Sequence, residues 1–169
     1  MTAFFEKLRG GSAQPPRARM IDIALAWLGG LLAIGAVSLL ASLTHATLIL
    51  GSFGASCVLI FGFPDSPFSQ PRNVIAGHVL SSLVGLVCLS LFGAVWWSMA
   101  LAVATAIALM LATRTVHPPA GSNPVIVMLS QPGWSFLITP TLVGSILLVL
   151  IAVGFNNLPD QRRYPKYWF

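Results

Sequence analysis

The sequence predicts an all-α membrane protein: a polytopic helix bundle with about five transmembrane spans and two proline-broken, discontinuous helix regions. Of the 169 residues, 56% are hydrophobic and only 8% are charged, and the mean hydropathy is +0.86. A soluble domain carries charge on about a quarter of its residues, so this chain has too few charges to cover a water-facing surface. Apolar runs such as 100–112 lack the alternation that a barrel strand requires. These observations together favour helices in a bilayer.

The apolar runs divide the chain into three parts. We predict a basic N-terminal tail at 1–19, a transmembrane domain at 20–156, and a basic, aromatic C-terminal tail at 157–169. At about 1.5 Å per residue, a span needs about 20 apolar residues. The expected spans are 21–43, a shorter run at 48–63, and then 74–92, 96–113 and 136–155.

Two proline-rich segments interrupt this pattern. The first break is Phe63–Asn73 and the second break is Val116–Pro124. Proline removes a backbone donor and disfavours helix at the residue before it. The prolines that we expect to shape the breaks are Pro64, Pro67, Pro71, Pro118, Pro119 and Pro124.

Each break is expected to lead into a new helix. Gly121 permits backbone angles that are closed to other residues. Ser122 or Asn123 can then cap a short helix at about 124–130, with Pro124 at its first position. Asn73 is expected to cap the span that follows the first break in the same way.

The two breaks together form the candidate site. Irregular backbone survives in a bilayer only where it is buried in protein or lines a wet cavity. A helix start exposes unpaired N–H groups and a partial positive charge, which bind anions readily. Arg72 adds charge beside one helix start, and His78 and His117 titrate near neutral pH. The predicted substrate-binding residues are Ser66, Gln70, Arg72, Asn73, His78, His117, Gly121, Ser122 and Asn123.

Simpler roles compete with this interpretation. Arg72 and Arg114 also suit positive-inside anchors, and His117 also suits a hydrogen bond to a freed carbonyl. Asp65 is expected to pair with Arg72. Packing, rather than ligand binding, is expected of Ser52, Ser56 and Ser81.

The net charge of +5 is concentrated in the two tails. Basic tails beside a membrane indicate topology and contact with anionic headgroups, not binding of nucleic acid. Five spans place the termini on opposite sides, and we expect the N-terminus in the cytoplasm. If the fifth run were re-entrant, or the second did not cross, both tails would be cytoplasmic. Tyr164, Tyr167 and Trp168 are expected to anchor the C-terminal tail at the headgroup layer.

Enzymatic chemistry and cofactors are not expected. Cys57 and Cys88 both fall in predicted spans and suit small buried hydrophobes, not a disulfide. The membrane portion lacks a pair of acids, and the spacing of His, Cys and Glu matches no zinc motif. We therefore predict no catalytic residues, no metal site and no cofactor.

The motifs in and around the breaks resemble those of the HPP family of integral membrane proteins. The resemblance rests on 117–124 (HPPAGSNP), 51–56 (GSFGAS), 64–67 (PDSP), 70–73 (QPRN) and 77–78 (GH), and it extends over about 21–155. The family is associated with nitrite transport in cyanobacterial and chloroplast membranes. The resemblance therefore implies a helical membrane fold and a transport function.

The predicted function is transport of a small inorganic anion, first of all nitrite, with proton coupling through a histidine as a further hypothesis. An anion channel is the main alternative, because carriers and channels both use broken helices near the midplane. An intramembrane enzyme or a structural subunit are the others. We expect a homo-oligomer, most simply a dimer, in the lipid bilayer of the bacterial cytoplasmic (inner) membrane.

Overall fold

The computed structural model describes residues 2–9 and 11–168, and this portion of the chain is helical, with no β-strand. The α-helices are α1 (Thr2–Leu8), α2 (Met20–Thr44), α3 (Ser52–Gly62), α4 (Pro71–Phe92), α5 (Trp96–Ala112), α6 (Asn123–Ser130) and α7 (Val143–Asn156). Short 3₁₀ helices occupy Pro67–Ser69, Pro118–Ser122 and Trp134–Leu137, and a π turn at Ile138–Leu142 leads into α7.

Three helical stretches are long and apolar enough to cross a membrane: Met20–Thr44, Pro71–Phe92 and Trp134–Asn156. The other apolar helices are shorter. The 17 residues of α5 extend about 25 Å, and the 11 residues of α3 extend only about 17 Å. The predicted run at 48–63 is helical only from Ser52, because residues 45–51 form no helix.

α4 lies at the centre of the bundle, and its glycines let irregular backbone approach it. A Cβ on Gly77 would lie 2.8 Å from the Cβ of His117 and 3.0 Å from the carbonyl oxygen of Thr115. A Cβ on Gly85 would lie 3.0 Å from the Cα of Pro124. Both distances are too short for a larger residue, so the second break and the start of α6 pack directly on the α4 backbone.

An apolar core joins α2, α3 and α7. Phe61 and Phe155 meet edge to face with their ring centroids 5.6 Å apart, and Gly29 of α2 lies directly against Phe61. Edge-to-face pairs of this kind add to the free energy of burial. This contact holds α2 against the rest of the bundle at a point where α2 has no side chain.

The start of α2 and the C-terminal tail lie at the same end of the bundle. Asp22 accepts hydrogen bonds from Arg19 at 2.7 Å and from Arg162 at 3.2 Å, across 140 residues of sequence. The expectation that the two tails lie on opposite sides is therefore wrong. We call this end of the bundle the tail end.

The C-terminal tail packs on the first break. The hydroxyl of Tyr164 donates to the carbonyl oxygen of Ser69 at 2.7 Å, and the N–H of Lys166 donates to the side chain of Gln70 at 2.8 Å. Lys166 also forms an ion pair with Asp65 at 2.8 Å. Two predictions are therefore wrong. Asp65 pairs with Lys166 and not with Arg72. Tyr164 is buried in protein and does not anchor the tail at the headgroup layer.

Replacing Gly77 with alanine is expected to destabilise the bundle by about 1–3 kcal/mol, because the new methyl group would displace the backbone of the second break. Gly35 is the control, since a Cβ there meets no atom within 4 Å. Thermal unfolding in detergent would report the difference. Equal melting temperatures for Gly77→Ala and Gly35→Ala would contradict this close packing.

The docked tail is expected to loosen at alkaline pH. Burial raises the pKa of Tyr164, so the folded state favours its neutral hydroxyl. The stabilisation is therefore complete below the ordinary tyrosine pKa of about 10 and is lost as the pH rises above it. Trypsin cleavage after Arg162 or Arg163 should accelerate as the pH rises above 10 by more in the wild type than in Tyr164→Phe. Identical pH profiles would exclude this role for the Tyr164 hydroxyl.

Candidate functional site

Two short helices begin side by side in the middle of the bundle. Ser52 is the first residue of α3, and its hydroxyl donates at 2.8 Å to the side-chain oxygen of Asn123, the first residue of α6. α3 then runs to the tail end, where Ser69 bonds the carbonyl of Phe63. α6 runs the other way along α4, and its Met128 packs against Cys88. The two helices thus point away from a common origin.

The origin lies near the centre of α4. His78 and Ser82, which contact it, lie about 10 Å and 16 Å along that helix from its first residue. α4 is 22 residues long, or about 33 Å, close to the thickness of a bilayer core. The contacts of Ser82 therefore lie near the middle of α4, and those of His78 lie closer to its first residue.

Asn123 connects four segments of the chain. Its amide nitrogen lies 3.0 Å from Nδ1 of His78, 2.9 Å from the hydroxyl of Ser82 and 3.2 Å from the carbonyl oxygen of His78. Ser82 lies in turn 3.1 Å from the hydroxyl of Thr141, just before α7. With Ser52, Asn123 thus ties α3, α4 and α6 together directly, and Ser82 extends the connection to the segment before α7.

Ser56 bridges the two buried histidines. Its hydroxyl oxygen lies 2.9 Å from Nε2 of His78 and 2.8 Å from Nε2 of His117. Nδ1 of His117 lies 2.7 Å from the carbonyl oxygen of Phe68. Ser56 and both histidines are 0% exposed, so this chain of hydrogen bonds is closed to solvent.

The two breaks touch each other at the tail end. Besides the contact of His117 with Phe68, the Asn73 amide donates to the carbonyl oxygen of Val116 at 2.9 Å. The Arg72 guanidinium donates to the carbonyl oxygen of Thr113 at 3.0 Å. Arg114, the residue after Thr113, is exposed and adopts a positive φ of 58°.

Of the nine predicted substrate-binding residues, the structure brings His78, His117 and Asn123 together at the origin of α3 and α6. The other six do not reach this position. Four lie at the tail end: Ser66, Gln70, Arg72 and Asn73. The remaining two precede α6, where Gly121 is partly exposed and Ser122 is exposed with its hydroxyl on the Pro119 carbonyl.

The predicted side-chain caps and the predicted role of Gly121 are wrong, although Ser122 does occupy the N-cap position of α6. Neither Asn73 nor Asn123 caps a helix, because each side chain bonds a distant partner instead. The N-cap positions of α4 and α6 belong to Gln70 and Ser122, without side-chain caps. Gly121 lies in a 3₁₀ helix, and the positive-φ glycine among the described residues is Gly93.

The prolines begin helices but supply no donors. Pro118 and Pro119 open the 3₁₀ helix that runs directly into α6, and Pro71 opens α4. Pro124 is the second residue of α6, not the first. A helix start that consists of prolines lacks the N–H groups that an anion would use. The second break is therefore a poorer anion site than the sequence suggested.

Four further residues complete the polar cluster. We use the term central cluster for Ser52, Ser56, His78, Ser82, His117, Asn123 and Thr141. The expectation that Ser52 and Ser56 only pack is wrong. The sequence contains one sign of their role, because residues four positions apart share one helix face. This spacing relates Ser52 to Ser56 and His78 to Ser82.

The central cluster contains no formally charged side chain when its histidines are neutral, so the predicted positive centre is not observed. Within the described residues, no group of three or more His, Cys, Asp or Glu side chains is placed to hold a metal ion. Charged side chains lie instead at the tail end, where they line a cavity of about 710 Å³. Its charged lining residues are Arg19, Asp22, Asp65, Asp160 and Arg162.

Residues 15–165 match the transmembrane region of the HPP family. Two transmembrane proteins of Dictyostelium discoideum are each 36% identical to the chain, over 98% and 95% of its length. The chain spans only 57% and 60% of those relatives. No solved structure matches the chain.

Asn123→Ala is expected to destabilise the protein by about 3 kcal/mol, because several buried partners lose their hydrogen bonds at once. Ser122→Ala is the matched control, since Ser122 is exposed and bonds only its own turn; its effect should stay within about 0.5 kcal/mol. Thermal unfolding in detergent measures both. A similar loss for the two variants would contradict the central position of Asn123.

Proposed function

The chain belongs to the HPP transmembrane family, and from this membership and the central cluster we propose that it transports a small inorganic anion, first of all nitrite. The observation that carries the proposal is the common origin of α3 and α6. Each helix start carries a partial positive charge of about half an elementary charge. α3 directs this charge to the common origin, whereas α6 adds less to it, because the 3₁₀ helix at Pro118–Ser122 runs directly into α6.

Neutral polar groups around this point suit the binding of an anion that must later be released from the site. Hydroxyl and amide groups of Ser52, Ser82 and Asn123 can turn their donors to a ligand without a fixed counter-charge. Conduction requires a site that binds firmly enough to admit the ion and weakly enough to release it. Transport, rather than permanent binding or catalysis, is the use that best fits such a site. An enzymatic use of Ser56 as a nucleophile is disfavoured by its complete burial.

The proposed topology has six crossings. Residues 45–62 and 113–130 each combine an irregular segment with one short helix, and we propose that each crosses the bilayer as one discontinuous span. Transporters often bind substrate at such interrupted helices near the midplane. An even number of crossings agrees with the contact between Asp22 and Arg162.

We propose that both basic tails face the cytoplasm, in the bacterial cytoplasmic membrane, as the positive-inside rule favours. A homodimer remains part of the proposal, and the apolar groove between α2 and α3 is its candidate contact. Trp27, Leu31 and Val58 are exposed along that groove.

In proteoliposomes, the wild type should take up nitrite faster than protein-free vesicles, with a rate that saturates as the nitrite concentration rises. Ser52→Ala should lower the initial rate about tenfold, because a donor to a charged ligand is lost. Ser130→Ala is the control, since Ser130 lies exposed at the end of α6.

Nitrate, formate, bicarbonate and chloride should be compared in the same assay, with size-exclusion profiles to confirm that each variant is folded. If the wild type moved none of these anions faster than protein-free vesicles, the proposed function would be wrong. Unchanged uptake by Ser52→Ala would remove the common helix origin from the mechanism.

A further inference from the structure

The hydrogen bonds of the two buried histidines determine where each proton lies. Nδ1 of His117 faces the carbonyl oxygen of Phe68 at 2.7 Å. A carbonyl oxygen only accepts, so Nδ1 of His117 carries the proton. In the neutral ring Nε2 is then an acceptor, and its partner at 2.8 Å is the hydroxyl of Ser56, which must donate.

His78 holds the opposite tautomer. Its Nδ1 faces the amide nitrogen of Asn123 at 3.0 Å, and an amide nitrogen only donates. The same nitrogen lies 3.2 Å from the backbone carbonyl oxygen of His78, which can only accept, and this contact fixes the orientation of the amide. Nε2 of His78 therefore carries the proton and donates to Ser56.

An additional proton fits at one of these rings and not at the other. At His78 the free lone pair is on Nδ1, where a new N–H would point at the Asn123 N–H group. At His117 the free lone pair is on Nε2, where a new N–H would point at the oxygen of Ser56. The Ser56 hydroxyl can then turn to the carbonyl oxygen of Ser52, which lies 3.2 Å away.

This uptake leaves every hydrogen bond made. One N–H bond forms at Nε2 of His117, an O–H bond of a hydronium ion breaks, and no covalent bond in the protein breaks. The Ser56 oxygen accepts from both histidines and donates to Ser52. The imidazolium keeps its second bond to Phe68. Because the cluster is fully buried, the proton enters only when one side of the cluster opens to water, and the bonds of the cluster then change by the rotation of one hydroxyl group.

The surroundings of His117 contain no competing charge among the described residues. α3 contributes Ser56, and α4 contributes His78 and the backbone of Gly77. The loop before α4 contributes the carbonyl of Phe68. The side chains around His78 are also uncharged: Ser52, Phe53, Ser56, Ser82 and Asn123. Of the charged side chains nearest in the chain, Arg114 is exposed, Arg72 donates to the carbonyl oxygen of Thr113, and Asp65 pairs with Lys166.

We infer that His117 is a one-proton site, that Ser56 is the hydroxyl switch that admits the proton, and that Asn123 keeps His78 neutral. Given the proposed function, on which this step rests, the proton supplies the positive charge that the central cluster lacks. An imidazolium beside the positive start of α3 is stabilised by an anion, and the anion is stabilised by the imidazolium. One anion and one proton then cross together, with no net charge.

Nitrogen-15 NMR of labelled histidine in lipid vesicles tests the proton site without any transport. At neutral pH, the wild type should show the Nδ1–H tautomer for His117 and the Nε2–H tautomer for His78. As the pH falls, His117 should become the imidazolium while His78 stays neutral. A His45→Gln background removes the exposed histidine signal.

Two serine variants separate the switch from ordinary packing. Ser56→Ala should lower the pH midpoint of His117 protonation by about one unit, because the imidazolium loses its acceptor. Ser81→Ala should leave the midpoint unchanged, since Ser81 is equally buried but donates to the Ala120 carbonyl. The proton site is overturned if His78 protonates first or if both variants shift the midpoint equally.

Uptake under defined gradients tests the coupling. An inward proton gradient should drive nitrite accumulation, and a potassium–valinomycin potential of either sign should not change its rate. Uptake that responds to the potential but not to the proton gradient overturns the coupling and leaves the proposed function standing. If the histidine titration appears as stated while no anion is moved, the proposed function fails and the proton site remains.

Discussion

The structure depends on one constraint: polar side chains buried in an apolar bundle must satisfy one another. The polar side chains in the middle of the bundle are fully buried or nearly so, and an unpaired polar group there costs several kcal/mol. Among the described residues, every buried side-chain nitrogen and oxygen has a hydrogen-bond partner. Asn123 makes several of these hydrogen bonds, and its amide group alone connects α3, α4 and α6. One residue that is neither charged nor large therefore links three helices.

The same constraint explains the glycines of α4. The backbone of the second break can satisfy its carbonyls only if it lies close to side chains of α4, as the bond from Ser81 to Ala120 requires. Such closeness leaves no room for a Cβ at Gly77 or Gly85. Small residues are a general means of bringing helices together in lipid. Here they bring a helix against an irregular segment, which places His117 beside His78.

Much of the fold can be predicted from the sequence, since apolar runs and proline breaks are local signals. The three long stretches, the two breaks and the helix that follows each break all arise from such signals. The central cluster does not. Its bonds join residues 71, 61 and 45 positions apart, and no local pattern states which partner a buried serine or asparagine will find.

Capping rules failed for a related reason. Asn73 and Asn123 stand where a cap is favoured, yet both side chains turn to long-range partners. A local hydrogen bond to the next turn competes with a tertiary one, and in an apolar interior the tertiary bond wins when it satisfies a group that would otherwise remain unpaired. The predicted start of α3 is wrong because residues 48–51 continue the apolar run but pack in a non-helical form, with Leu48 and Leu50 buried.

The central cluster is closed on its two sides by different sets of contacts. At the tail end, the loop of the first break covers His117 and is held by Gln70 and by Tyr164 of the C-terminal tail. On the other side, residues 45–51 cover the start of α3, and the Leu48 carbonyl lies so near α7 that a Cβ on Gly144 would be 2.6 Å from it. The two sets share no residue. This arrangement agrees with the proposed transport function, because alternating access requires that one side open while the opposite side remains shut.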